Sequence, residues 1–180
     1  MHASITHTTR APTPAVGHYR IDPVRTSVRF STRHLFGLGA VTGTVKLREA
    51  DFSITEHLSA TVHAVLDAAS FDTGNPRRDG DVRSARYLDV TAYPDITFSS
   101  EQVRLQEGKW AAVGTVTAHG VAAPVDLTLD ELRRDDEELI LRASAKIDRY
   151  AHQVTAGKGL AARWLTVEVT AIARRDSIDA

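Results

Sequence analysis

Apolar and polar residues alternate along most of this chain with a period of two. Over 26–33, Val28 and Phe30 fall on one side and Ser27, Arg29 and Ser31 on the other. Over 38–48, Val41, Gly43, Val45 and Leu47 oppose Thr42, Thr44, Lys46 and Arg48. Over 58–66, Leu58, Ala60, Val62, Ala64 and Leu66 oppose Ser59, Thr61, His63 and Val65. Such alternation marks antiparallel strands that bury one face and solvate the other. It returns over 95–105, where Ile96 and Phe98 oppose Thr97 and Ser99, and again over 109–119 after a Glu107-Gly108 turn. Over 121–132, Val125, Leu127 and Leu129 oppose Asp126, Thr128 and Asp130. The last two alternating stretches are 139–148 and 164–173, the latter with Leu165, Val167, Val169 and Ala171 expected to face inward.

The middle of the chain departs from this period. Asp72-Thr73-Gly74-Asn75-Pro76 is a turn cluster. Beyond it, Val82, Ala85 and Leu88 stand three apart, which predicts one short helix over 79–89 that is acidic at its start and closed by Tyr93-Pro94. The acidic run 135–138 predicts a further turn. About eight strands at regular spacing, with one or two short helical insertions, predict an all-β sandwich or barrel. Eight antiparallel strands can close around one small ligand. No strand–helix–strand rhythm and no repeat of fixed period is present.

Composition narrows the chemistry. With 180 residues the chain is expected to form one domain. The absence of cysteine excludes disulfides, thiolate metal sites and a cysteine nucleophile. A formal charge of -1 argues against a broad nucleic-acid footprint. The first 17 residues, rich in Thr, Ala and Pro, lack the apolar run of a signal peptide. They are read as a disordered leader in which His2 and His7 are solvated, and the protein as cytoplasmic. No stretch approaches the roughly 18 apolar residues of a membrane span. The expected layout is a leader over 1–17, a barrel over 18–174 and a polar tail over 175–180.

Catalytic and nucleotide motifs are missing. Gly157-Lys158-Gly159 lacks the spacing of a phosphate loop, and Gly37-Leu38-Gly39-Ala40 lacks the third glycine of a dinucleotide fingerprint. No histidine pair has metal-ligand spacing, so His34, His57, His63, His119 and His152 could converge only through the fold. No metal and no cofactor is expected. Asp79 and Asp81 are either paired catalytic carboxylates or, more simply, helix caps. Arg77, Arg78, Arg83 and Arg86 either receive an anionic head group or pair with Asp79, Asp81 and Asp89. Nucleic-acid binding would need aromatics among these cations, and Tyr87 alone qualifies. Small residues at strand positions (Ala60, Ala64, Gly114, Ala143, Ala145, Ala171) either pack in an ordinary core or leave room for an apolar pocket.

Several ordered motifs together resemble one family. Tyr19-Arg20-Ile21-Asp22-Pro23, then Ser27-Val28, Phe30 and Arg33-His34-Leu35, are similar to the opening of the YceI-like proteins. Ala69-Ser70-Phe71-Asp72-Thr73-Gly74, Arg78-Asp79, Arg83-Ser84, Leu88-Asp89 and Tyr93-Pro94 continue the match. So do Val113-Gly114, Val116-Thr117, His119-Gly120-Val121, Pro124-Val125 and Ile147-Asp148-Arg149-Tyr150. Arg25 stands where a histidine is common, and Tyr87-Leu88 replaces an aromatic pair.

The resemblance implies an eight-stranded antiparallel lipocalin-like barrel with an elongated apolar pore. It implies a polyisoprenoid, an isoprenoid quinone or a fatty amphiphile as ligand, a homodimer, and no enzymatic activity. Phe30, Leu35, Phe36, Val41, Phe71, Leu88, Phe98, Trp110 and Trp164 are the expected apolar pocket. His34, Arg78 and Arg83 are the expected polar mouth. The competing expectations are a lipid-directed enzyme using His34, His119 or Asp79, and a cargo-free interaction protein with a filled core.

Overall fold

Alternation over the whole chain becomes a single closed sheet. The computed structural model describes residues 14–34, 39–56, 59–158 and 161–176, and of His34 it describes the backbone. The strands are β1 (Gly17–Ile21), β2 (Ser27–His34), β3 (Gly39–Ile54), β4 (Ala60–Asp72), β5 (Asp95–Gln106), β6 (Lys109–Ala118), β7 (Val121–Asp135), β8 (Glu138–Asp148) and β9 (Trp164–Arg175). One helix, α1 (Pro76–Arg83), lies between β4 and β5. Each strand from β2 to β9 pairs antiparallel with the next, and β9 returns to β2, so the barrel is closed. Closure leaves no sheet edge open for pairing.

The sequence pattern predicts eight strands, and the described residues form nine in eight staves. The short β1 pairs with the end of β3 and with the end of β9, beyond the part of each that β2 occupies. β1 and β2 therefore form one stave broken at residues 22–26. Pro23 has no N–H to give a ladder. Asp22 closes the break: its carboxylate accepts from the Val24 N–H at 2.9 Å and the Arg25 N–H at 3.2 Å, and its carbonyl accepts the Thr26 hydroxyl at 2.6 Å. β9 runs through Arg175, one residue into the stretch expected as a tail.

Arg25 locks the same break from outside. Its guanidinium forms a two-pronged pair with Glu138, at 2.6 and 3.0 Å, across the intervening β9. Arg174 donates to the same carboxylate at 2.8 Å. Hydrogen bonds from Arg25 and then Arg174 hold the Glu138 carboxyl down to about 2. A carboxylate lowered on folding adds stability above its unfolded pKa and loses it as pH falls through the folded value. The difference in urea midpoint between the wild type and Glu138→Gln is therefore expected to be full at neutral pH. It should shrink from the ordinary value of 4.5 down to about 2. A difference that stays constant through that window contradicts the assignment.

The helix differs from its prediction at both ends. It begins at Pro76, three residues early, because Asn75 caps it: the Asn75 side chain accepts the Arg78 N–H at 3.1 Å, and Pro76 supplies a preset φ at the first position. It ends at Ser84, whose extended backbone (φ -69, ψ 166) stops the turn before Ala85 and Leu88 can join the face that their spacing predicted. Asp79 is consequently not the cap.

One end of the barrel is filled. Tyr19 and Phe52 stack there at 4.7 Å, packed with Leu132, Leu139 and Ala173. The Tyr19 hydroxyl donates to the Ala15 carbonyl at 2.8 Å, so the buried ring carries no unpaired polar group. Further along, Phe30 lies over Gly43 and Phe98 over Gly114. A Cβ at either glycine would stand within 3 Å of the covering ring and of a neighbouring carbonyl. These two glycines let aromatic rings lie flat against the wall instead of crossing the interior.

Candidate functional site

The two ends of the barrel are built differently. The end with Tyr19 and Phe52 carries the β3–β4, β5–β6 and β7–β8 connections. The opposite end carries the β2–β3, β4–α1–β5, β6–β7 and β8–β9 connections, which include the helix and the long 149–163 segment. Between them runs an apolar inner wall. Val45, Leu47, Leu66, Val116, Leu127, Ala143, Ala145, Val167 and Val169 share the inward face in the strand registers. All nine stay half-buried although they point into a closed barrel. By contrast, the capped end is packed to full burial at Tyr19 (2% exposed), Leu139 (3%) and Ala173 (0%). Inward side chains that remain accessible face space that other side chains do not fill. The inner wall thus has the form of a tube, apolar along its length and packed at one end by an aromatic stack.

The predicted pocket residues divide by position. Phe30 and Phe71 stack at 4.6 Å near the loop-bearing end. Val41 and Phe98 are buried on the inner face, and Leu88 is half-buried in the turns after α1. Trp110 lies on the inward side of β6 but toward the capped end, paired in register with Leu105. Trp164 is a correction: it does not line the tube. It precedes inward Leu165 by one residue, so the two-residue period turns it outward, where it is 45% exposed. Leu35 and Phe36 lie outside the described residues, as does the side chain of His34.

Arg78 and Arg83 do reach the loop-bearing end, where they brace the β4–α1 turn. Arg78 donates through Nε to the Thr73 hydroxyl at 2.7 Å and through Nη2 to the Thr73 carbonyl at 3.3 Å. Arg83 donates to the Phe71 carbonyl at 2.5 Å, holding the ring that stacks on Phe30. Asp79, 4% exposed, receives the Thr73 N–H and hydroxyl, the latter at 2.6 Å. Burial pushes the Asp79 carboxyl up, but the Thr73 bonds and the nearby Arg83 outweigh it and hold the group below the usual carboxylate value. An ionised carboxylate with both oxygens engaged is a structural anchor and a poor proton donor.

Three residues at this end take structural roles that their sequence positions alone do not assign. Arg149, 8% exposed, gathers the 149–163 loop: it donates to the carbonyls of Val154, Ala156, Ala161 and Ala162 at 2.6–3.0 Å. His152, 2% exposed, joins that loop to β7 through Nδ1, 2.9 Å from the Val121 carbonyl. Its Nε2 makes no hydrogen bond among the described residues. His119 sits in a left-handed turn (φ 52), edge-on to Tyr93 at 5.2 Å, and Gly120 (φ 69) fits beneath the same ring. His119 and Asp79 are thus held in separate loops, each by its own local contacts. Among the described residues no group of three or more His, Cys, Asp or Glu stands close enough to hold a metal ion.

Two shallow depressions open elsewhere. One, of about 240 Å³, lies among outward residues of β2, β3 and β9, including Arg29, Thr42 and Glu168. The other, of about 390 Å³, lies against the capped end beside Tyr19, Leu139 and Arg134.

Comparison with known proteins follows the same architecture. A model of the YceI-like domain matches residues 19–173. The protein YceI of Shigella flexneri is 32% identical over 112 residues, which cover 61% of this chain and 58% of that protein. The protein YceI of Salmonella arizonae is 30% identical over 139 residues, covering 75% of this chain and 71% of the relative. The chain spans little more than half the length of some of these curated relatives, 54% for a UPF0312 protein of Vibrio campbellii. Among solved structures, BcnA of Burkholderia cenocepacia superimposes with a TM-score of 0.75 at 19% identity, covering 84% of this chain and 98% of BcnA. A polyisoprenoid binding domain from Saccharophagus degradans, implicated in plant cell wall breakdown, gives 0.67 at 16% identity, covering 90% of this chain and 100% of that domain. At such identities the superpositions speak for the fold.

Proposed function

This chain belongs to the YceI-like domain family, and on that footing we propose that its barrel binds a long-chain isoprenoid or similar amphiphile, tail inward. The observation that carries this reading is the inner wall: apolar, half-buried and blocked at one end by Tyr19 and Phe52. Burying each methylene of a tail contributes about 0.8 kcal/mol, so a chain of several isoprene units binds firmly without directional contacts. The blocked end makes length the selective variable. The loops at the other end, with Phe30, Phe71 and Leu88 beneath them, are the entrance in this reading. The polyisoprenoid binding domain of similar fold supports the chemical class.

The test is a titration with isoprenoid alcohols of increasing length. Affinity is expected to rise by about ten-fold or more for each added isoprene unit and then level off once the tube is full. An affinity indifferent to chain length overturns the proposal.

A further inference from the structure

The outer face of the barrel beside the β8–β9 loop carries aromatic and cationic groups that the tube does not use. Trp164 is 45% exposed there. The Lys146 ammonium lies 4.9 Å from its ring centroid and the Arg163 guanidinium 5.3 Å. The neighbouring Tyr150 ring meets Arg163 at 5.4 Å and Lys158 at 5.2 Å. Arg163 is neutralised by Asp148 at 2.6 Å. The two lysines are not: among the described residues, Lys109 is the lysine paired with a carboxylate. Between positions 146 and 163 the chain holds Lys146, Arg149, Lys158 and Arg163 against Asp148 alone.

We propose that this face docks on an anionic membrane surface, with the Trp164 ring at head-group level and Lys146 and Lys158 on lipid phosphates. An indole with its apolar body and polar edge suits the interfacial zone, and ammonium groups on flexible stems reach the phosphates beside it. A protein partner fits less well, because lysine is depleted from the cores of such interfaces. Lys146 and Lys158, each over a ring, are held at the surface without being cancelled by carboxylates. The patch borders the loop-bearing end, so docking would bring the entrance of the tube to the bilayer. Its purpose, though not its test, rests on the proposed function.

The test is sedimentation of the full chain with vesicles of phosphatidylcholine, alone or with about 30% phosphatidylglycerol. The protein is expected to sediment with the anionic vesicles, to remain in solution with the neutral ones, and to be released by about 0.5 M salt. Lys146→Glu combined with Lys158→Glu should weaken association by about thirty-fold or more. Trp164→Ala should weaken it while keeping the salt dependence. Unchanged thermal unfolding of these surface variants shows that they fold. Failure to sediment with anionic vesicles overturns the proposal, as does equal sedimentation of the charge-reversed variant. So does capture on heparin with no vesicle association, which would point to a soluble polyanion. Mass spectrometry of organic extracts keeps the two proposals apart. Protein that sediments but neither carries nor takes up lipid defeats the proposed function alone, and lipid-loaded protein that does not sediment defeats the docking alone.

Discussion

Arg149→Met is expected to cost about 3 kcal/mol of stability and about 10 °C in melting temperature. The side chain is buried, and its charge is met by four carbonyls of its own loop at 2.6 to 3.0 Å. Hydrogen bonds from a charged donor are worth more than neutral ones, and each orphaned buried carbonyl adds a penalty. The loss stays below the sum of four because the loop can open and hydrate some of them. Arg149→Lys should recover less than half, since one ammonium cannot span acceptors from Val154 to Ala162. The Ala162 N–H also bonds the Arg33 carbonyl, so loosening the loop loosens its seat on β2. Calorimetry checks the magnitude, and hydrogen exchange over 149–163 checks the location. A melting shift of less than about 2 °C contradicts the role.

Ala145→Trp is expected to empty the tube. Ala145 faces inward opposite Val167, toward the loop-bearing end, and is half-buried there. An indole at that point fills the bore between the entrance and the capped end, so bound lipid should fall by about ten-fold or more. The control is Thr166→Trp, which places the same ring at an exposed position on the outside of the barrel. If the interior is open, Ala145→Trp should fold with nearly wild-type stability. If the interior is packed solid, overpacking should cost about 1–3 kcal/mol instead. Lipid content unchanged in the inner variant, or lost equally in the outer one, contradicts the tube.

The fold was legible because alternation survives in nearly every strand. The inward sets at Val41 to Leu47 and Leu165 to Ala171 could be read directly, and the structure keeps both. β1 was not legible as a strand: it is five residues long, ends just before Pro23, and exists because the ends of β3 and β9 outrun β2. The helix prediction followed the spacing of Val82, Ala85 and Leu88, whereas the cap at Asn75 and the break at Ser84 set the real limits. Trp164 is among the expected pocket residues, and the strand's own parity puts it outside. Arg149 carried no sequence signal of its role, because four carbonyls converge on it only after the loop has folded back. Glu138 and Arg25 are 113 positions apart, and only barrel closure joins them.

As proposed, this barrel holds a long apolar chain. Native mass spectrometry of the purified full chain, followed by organic extraction, tests it most directly. One extractable hydrophobic molecule per barrel, displaced by an added long-chain isoprenoid and absent from Ala145→Trp, is the result predicted. A barrel that carries only its own mass, and takes up no isoprenoid of any length, would contradict it.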